Sequence, residues 1–151
     1  MTEILNIIYE PLFLPTSYGF RPNLNCHKAV KALSNTIQTR KVGYVVDADI
    51  KGFFDKVDHN WILEFVKYKI ADKRFVDLIE KFLKAGIMER GKYHTSELGT
   101  PQGGVISPML ANIYLHFVLD LWFEKVIKKQ CIGEAYIIRY ADDFVCCFQY
   151  K

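Results

Sequence analysis

Two adjacent acidic residues, Asp142 and Asp143, lie near the C-terminal end of the sequence between apolar stretches at 135–139 and 144–148. Both stretches have the pattern of short strands, so the sequence predicts a hairpin with the acidic pair at its tip. Neighbouring carboxylates repel each other unless a cation holds them together, and their hard oxygen atoms suit Mg²⁺. The pair therefore indicates phosphoryl or nucleotidyl transfer, provided that a third acidic residue joins it.

Asp49 is the candidate for that third residue, because it ends a predicted strand that opens at residue 44. Asp47 lies on the same face of this strand, but only the residue at the strand end reaches a cleft easily. Two metal ions held about 3.5–4 Å apart by shared carboxylates activate a 3′-hydroxyl and stabilise the leaving pyrophosphate. Such a site requires the two strands to be neighbours. Taken alone, each acidic cluster is weak evidence, because an aspartate at a strand end is more often a turn or cap residue and an acidic pair in a hairpin is usually a solvated turn.

The elements that must position these acids are helices alternating with a few short strands. We predict helices at 2–9, at 26–39 after Asn23 or Asn25, from Asp58 or Asn60 to about 70, from Asp72 to Gly86, and from Ser107 to about 129. A further hairpin is predicted over 87–98, with Gly91 at its turn, and Phe53 and Phe54 are predicted to lie in a turn. The pattern predicts an α+β fold, with helices on one face of a small antiparallel sheet. The residues predicted to be buried on three helices are Ala29, Val30, Leu33 and Ile37; Phe75, Ile79, Phe82 and Leu83; and Leu110, Ile113, Tyr114, Phe117, Val118 and Leu121.

Composition limits the class of protein. The 151 residues suffice for one compact domain, and half of them are apolar, which excludes disorder. A net charge of +3 hints at nucleic acid, although a solvated basic surface explains it equally well. No apolar run is long enough to span a membrane, and the N-terminal residues lack the charged start and small-residue cleavage site of a signal peptide. These features predict a cytoplasmic, intracellular protein. Its four cysteines lack zinc spacing and are expected to be reduced: Cys26, Cys131, Cys146 and Cys147.

Four sequence blocks resemble those of one enzyme family. Residues 140–143, with the sequence YADD, resemble the YxDD box of reverse transcriptases, and residues 47–55 resemble their first catalytic motif. Residues 100–115 look like the middle motif, in the sequence variant typical of group II intron-encoded reverse transcriptases. Residues 17–22 are similar to a further block of that lineage. The blocks occur in the family order, and the resemblance extends from about Ile4 to Phe148.

The resemblance implies a metal site and a nucleotide site. Asp49, Asp142 and Asp143 would bind two Mg²⁺ ions, or Mn²⁺, and Ile50 would lend its backbone carbonyl. Phe54 matches the bulky residue under the nucleotide sugar that excludes a 2′-hydroxyl, although a core role for Phe54, or a gate at Phe53, fits too.

Three other positions are implied to contact nucleotide or template. Gln102 and Gly103 match the loop that packs against the incoming nucleotide and the template, and the alternative is a plain loop before a helix. Lys51 would steady phosphates or form an ion pair with Asp55. Arg21 resembles a residue near the template or triphosphate, and a structural arginine in a turn fits equally well.

The implied fold is a polymerase palm with part of the fingers, in which about 1–42 is fingers-like and 43–151 is palm with some fingers elements. The implied function is RNA-directed DNA synthesis, with an RNA template, a DNA or RNA primer, dNTP and an intron RNA as partners. Because the family's early fingers block, thumb and maturase region do not match these 151 residues, the chain alone is expected to polymerise poorly or not at all. The alternatives are a non-catalytic RNA-binding maturase module and a retron- or CRISPR-associated reverse transcriptase. An RNA-templated RNA polymerase is disfavoured by Phe54.

Overall fold

A computed structural model describes residues 1–85, 87–89, 92–94 and 105–151, with backbone alone for 87–89 and 92–94. The chain forms two compact units, each assembled from two separate stretches. The first unit comprises Met1–Tyr9 and Lys51–Tyr114, and the second comprises Glu10–Ile50 and Leu115–Lys151. The predicted boundary between a fingers-like portion and a palm portion stays a prediction.

The first unit is mostly helical. Buried residues such as Leu5, Ile62, Ile79 and Leu83 form its core, and the Tyr9 hydroxyl donates to backbone carbonyls of α4 at 2.8 and 2.9 Å. Burial raises the pKa of this hydroxyl to about 12. The elements of the unit are α1 Thr2–Tyr9, α3 Phe53–Lys56, α4 His59–Lys67, α5 Lys73–Lys84, the hairpin of β2 Ile87–Glu89 and β3 Lys92–His94, and α6 Ser107–Leu115, whose last residue belongs to the second unit.

Side-chain caps explain where two of these helices begin. The Asp58 carboxylate accepts the amides of Asn60 and Trp61 at the start of α4, and the Asp72 carboxylate accepts the amide of Arg74 at the start of α5. These caps confirm Asp58 over Asn60 as the start of α4, which ends at Lys67 rather than near residue 70.

For the first unit, one prediction is wrong, and others lie outside the described residues. Phe53 and Phe54 form the short helix α3 rather than a turn, because Gly52 turns the chain at a φ of 67° immediately before it. The predicted helix end at Gly86 and the hairpin turn at Gly91 lie outside the described residues, although β2 and β3 pair antiparallel as expected.

The second unit contains a three-stranded antiparallel sheet in the order β1-β5-β4. Its central strand β5 pairs with both neighbours, and the register aligns Asp49 of β1 with Asp143 of β5. Residue Ser17 forms a parallel bridge with Arg139 at the outer edge of β4. The elements of this unit are a 3₁₀ turn at Glu10–Leu12, α2 Cys26–Thr39, β1 Tyr44–Asp49, π-helical turns at His116–Asp120 and Phe123–Ile127, α7 Lys128–Gln130, β4 Ala135–Tyr140 and β5 Asp143–Phe148.

Strand alternation gives the sheet two chemically different faces. The rings of Phe123 and Phe148 lie 6.2 Å apart, so the π-helical segment covers the face that also carries Arg139. Asp49 and Asp143 project from the opposite face. The predicted α+β arrangement of helices and a small antiparallel sheet therefore agrees with the structure.

The predicted apolar stripes of two helices were partly wrong. On α2, which is capped by Asn25, Ala29 is buried, whereas Val30 is 59% exposed and Ile37 is 44% exposed. A π-helical turn holds more residues than an α-helical one, so it rotates the side chains that follow. Val118 is consequently 45% exposed, while Asp120 is fully buried. None of the helices in the described residues is both long and apolar enough to cross a membrane.

Candidate active site

The predicted acidic residues meet at one end of the sheet in the second unit. Asp49 and Asp143 are directly opposite each other on adjacent strands, a position in which Cβ atoms are about 4.5–5.5 Å apart. Asp142 precedes Asp143 in the two-residue turn between β4 and β5. Asp49 and Asp143 are exposed and Asp142 is half-buried, so all three carboxylates can contact a ligand.

The charges at this end of the sheet repel one another. Partial burial raises the pKa of the Asp143 carboxyl, and the charges of Asp142, Asp49 and Asp47 raise it further. Within the part of the chain that the structure describes, no group of three or more His, Cys, Asp or Glu side chains is arranged so that it could hold a metal ion. The acids are thus concentrated at one place without being arranged as a finished coordination sphere.

The turn that carries the acidic pair has an unusual backbone. Ala141 adopts a φ of 59°, a left-handed conformation that is uncommon for residues other than glycine. A positive φ at the first of two central residues is typical of a type II′ hairpin turn, in which glycine is the usual residue. Ala141 is 7% exposed, so the surrounding structure must hold this conformation in place.

Arg139 supplies one of the interactions that hold the turn. Its Nη1 donates to the carbonyl oxygen of Ala141 at 2.9 Å. Its Nε and Nη2 donate to the two carboxylate oxygens of Asp120 at 2.8 and 2.7 Å. Both side chains are fully buried. A bidentate pair of this kind fixes the orientation of the guanidinium as well as its charge.

The segment 16–19 supports the turn from the outer edge of β4. The Arg139 amide donates to the Thr16 carbonyl at 2.9 Å, and the Tyr18 amide donates to the Arg139 carbonyl at 2.8 Å. Gly19 then approaches the turn so closely that a Cβ atom there would lie 2.3 Å from the Ala141 nitrogen. Only glycine fits at this position without displacing the backbone.

Arg21, which the resemblance places near template or triphosphate, has an extensive set of local contacts. Its guanidinium forms an ion pair with Glu10 at 2.8 Å, donates to the carbonyls of Leu14 and Ser17, and lies over the ring of Phe13. The side chain is 9% exposed. These contacts favour the structural alternative, and a contact with nucleic acid stays a prediction.

The other predicted site residues are divided between the two units or lie outside the described residues. Ile50 follows Asp49 at the end of the second unit, whereas Lys51 and Phe54 belong to the first unit. Within that unit Phe53 is 5% exposed and its ring contacts Tyr114, while Phe54 is half-buried. Phe53 is therefore the core residue of the two. Gln102 and Gly103 lie outside the described residues.

Sequence reasoning missed Arg139, Asp120 and Gly19 as parts of this site. Two signals could have found the ion pair: an arginine in the otherwise apolar strand 135–140, and an aspartate in the apolar helix sequence around residue 120. A charge at a buried position must be paired, so each predicts a partner.

The whole chain, residues 1–151, matches the family described as reverse transcriptase (RNA-dependent DNA polymerase). The chain belongs to the reverse transcriptase family. Its relatives include the group II intron-encoded protein LtrA of Lactococcus lactis subsp. cremoris, which is 48% identical over 122 residues, covering 78% of this chain and 20% of LtrA. An uncharacterized 91 kDa protein in a cob intron of Schizosaccharomyces pombe is 42% identical over 123 residues, covering 82% of this chain and 15% of that protein. The resemblance to group II intron-encoded proteins is thus confirmed, and this reverse transcriptase chain spans a fifth or less of the length of these relatives.

Solved structures agree on the fold. The telomerase of Candida albicans, in complex with the TWJ fragment of telomeric RNA, superimposes with a TM-score of 0.72 over 99% of this chain and 30% of the telomerase, at 12% identity. At this identity the similarity shows the fold alone. It confirms the predicted α+β polymerase fold for this reverse transcriptase domain.

The close approach at Gly19 predicts that Gly19→Ala destabilises the protein by more than about 2 kcal/mol, because the added methyl group would overlap the backbone of Ala141. Gly52→Ala is the matched control. At Gly52 the new methyl would meet only the flexible Lys56 side chain at 3.5 Å, and the positive φ alone costs about 1 kcal/mol. Urea unfolding of both variants measures the difference. Equal losses would contradict the contact between Gly19 and the turn.

The repulsion at Asp143 predicts that Asp143→Asn raises the melting temperature of the metal-free protein in EDTA by about 1–2 °C, a small effect because the side chain is exposed. Adding Mg²⁺ should raise the melting temperature of the wild type more than that of the variant, since bound ligand stabilises the folded state. Glu3→Gln changes the net charge equally on α1 and serves as the control. A lower melting temperature for Asp143→Asn in EDTA would refute the repulsion.

Proposed function

We propose that this domain performs RNA-directed DNA synthesis by two-metal nucleotidyl transfer, adding dNMP units to the 3′-hydroxyl of a DNA or RNA primer. The observation that carries the proposal is the alignment of Asp49 with Asp143 on neighbouring strands, with Asp142 beside them in the turn. Membership of the reverse transcriptase family supports the same chemistry.

Asp49, Asp142 and Asp143 are the proposed metal-binding residues, with the Ile50 carbonyl as a further oxygen donor. The donor set fits a hard divalent cation, since it consists of oxygen atoms. Partial burial and the charges of the neighbouring aspartates both raise the pKa of the Asp143 carboxyl. Two Mg²⁺ ions, or Mn²⁺, bound there would activate the primer hydroxyl and offset the charge of the leaving pyrophosphate. The contribution of the chain is to hold the carboxylates close together and exposed to the substrate.

The proposed nucleotide contacts are Phe54, Lys51, Gln102 and Gly103. Phe54 is the better candidate for the residue that excludes a 2′-hydroxyl, because it is half-buried and in contact with Phe53, whose own ring is 5% exposed and occupied by core packing. Lys51 is exposed and carries the charge to steady a phosphate.

The proposed macromolecular partners are an RNA template, a primer and an intron RNA. Sequence similarity to a group II intron-encoded protein supports an intron RNA as a partner. A net charge of +3 is compatible with binding to phosphate backbones. A non-catalytic RNA-binding module is the competing function, and it predicts RNA binding without nucleotide addition.

Single-nucleotide addition tests the proposal, because one addition requires no processivity. With an RNA template, a DNA primer, dNTP and Mg²⁺, Asp142→Asn should lower the rate at least about a hundredfold, the scale of losing a group that stabilises transition-state charge. RNA affinity, measured by filter binding, should stay unchanged. Asp77→Asn on α5 makes the same chemical change in the first unit, at a residue outside the proposed metal-binding set, and should retain the wild-type rate. Equal addition by wild type and Asp142→Asn would sink the assignment, and RNA binding with no addition by either would favour the non-catalytic module.

Sugar selectivity tests the role of Phe54. Phe54→Ala should admit ribonucleotides, lowering the preference for dNTP over NTP at least about tenfold, because the space under the sugar opens. Phe53→Ala is the contrasting variant: it should cost about 3–5 kcal/mol of folding stability, since Phe53 is buried, and leave the selectivity of the folded fraction unchanged. The paired measurements are competitive dNTP and NTP incorporation and urea unfolding. A selectivity change in Phe53→Ala alone would move the gate to Phe53.

A further inference from the structure

The interior face of the sheet carries a polar network that the proposed chemistry does not use. Arg139 and Asp120 are both fully excluded from solvent, although each lies in an otherwise apolar element. Their bidentate ion pair leaves the third nitrogen of the guanidinium, Nη1, to donate to the carbonyl of Ala141 at 2.9 Å. The network therefore connects the π-helical segment 116–120 to the turn that carries the acidic pair.

We infer that Arg139, oriented by Asp120, is a positioning residue that holds the turn at Ala141 in its left-handed conformation and thereby aims the carboxylates of Asp142 and Asp143. This inference rests on the proposed function, because the orientation of the two carboxylates matters for catalysis only if they bind metal ions. The conformation of the turn is a property of the chain that is independent of that function and can be measured separately.

The turn needs such a restraint because Ala141 is not glycine. A φ of 59° is disfavoured for alanine, so an isolated turn of this sequence would populate other conformations. Two contacts oppose that tendency. The hydrogen bond from Arg139 holds the carbonyl of Ala141, and Gly19 packs against its nitrogen and Cα from the outside.

Asp120 contributes by limiting how the guanidinium can rotate. Both carboxylate oxygens of Asp120 are used, one by Nε and one by Nη2, and the backbone of Arg139 is fixed by Thr16 and Tyr18 on the other side. With the backbone and two nitrogens held, the position of Nη1 is fixed as well, and one of its N–H groups donates to the carbonyl of Ala141.

A double variant separates positioning from folding. Arg139→Met alone leaves Asp120 buried without its partner and is expected to destabilise the protein, so its effects would be uninformative. Asp120→Val with Arg139→Met removes both charges and fills the space with apolar atoms, which commonly preserves or improves stability. It also removes the hydrogen bond to Ala141. If the ion pair served folding alone, this double variant would have the turn conformation and the Mn²⁺ affinity of the wild type.

The first measurement is the backbone conformation of the turn by nuclear magnetic resonance. In the wild-type chain, Ala141 should show the carbon shifts of a left-handed residue. In the double variant those shifts should move toward the values of extended alanine, and amide exchange at Asp142 and Asp143 should accelerate at least about tenfold, as the turn opens locally. The control, Glu80→Gln with Lys84→Gln, removes an exposed ion pair on α5 and should leave the turn unchanged.

The second measurement is the affinity for Mn²⁺, followed by electron paramagnetic resonance. The double variant should bind at least about fivefold more weakly than the wild type and the Glu80/Lys84 control, at a similar melting temperature. Unchanged Ala141 shifts with unchanged affinity would overturn the inference. If Asp142→Asn binds Mn²⁺ as well as the wild type does, the proposed metal site fails instead, and the Ala141 shifts still decide the role of Arg139. If the double variant does not fold, Arg139→Lys is the replacement variant, because lysine keeps the positive charge beside Asp120 but lacks the additional N–H groups of the guanidinium. The carbon shifts of Ala141 in that variant then test whether Arg139 holds the turn.

Discussion

The buried ion pair between Arg139 and Asp120 is the constraint on which the acidic end of the second unit depends. Both charges lose their hydration when the pair forms, so the pair contributes little net stability compared with well-packed apolar residues. What it contributes is geometry, because two parallel hydrogen bonds fix the guanidinium against the carboxylate. The same guanidinium reaches the turn at Ala141, so the position of the π-helical segment and the shape of the acidic turn are specified together.

The register of the sheet makes this arrangement possible. Successive residues of a strand face opposite sides, so Arg139 faces the covering helix while Tyr140 and Asp143 share the other face. A slip of one residue between β1 and β5 would separate Asp49 from Asp143 and place them on different faces. Pairing with β1 on one side and with β4 on the other fixes β5 against such a slip. The segment 16–19 adds a further restraint at Arg139, which gives a physical role to a sequence block first recognised only by its resemblance.

Local patterns in the sequence were sufficient to predict the hairpins, most helix starts and the meeting of Asp49 with Asp143, because caps, turns and strand alternation depend on neighbouring residues. They were insufficient wherever a helix departs from the α-helical period. In the π-helical turn at 116–120, Val118 is exposed and Asp120 is buried. The local sequence pattern does not predict this turn. The exposure of Val30 and Ile37 on α2 has a related cause: periodicity identifies an apolar face but not the extent to which other elements cover it. Arg139 shows the opposite case, because a charge within an apolar strand is itself a local signal that predicts a buried partner.

The acidic turn concentrates several features that each cost folding free energy. Ala141 holds a disfavoured φ, Gly19 lies against the turn at a distance that admits no side chain, and the Asp143 carboxyl is repelled by its neighbours. Strain of this kind persists only where the surrounding structure specifies it, and here the interactions that specify it lie on the inner face and the outer edge of the sheet. Asp49 and Asp143 therefore remain exposed at the end of the sheet, with Asp142 half-buried beside them. It follows that a substitution on the inner face, with no change in the acidic residues, can alter the geometry of the carboxylates while the fold persists.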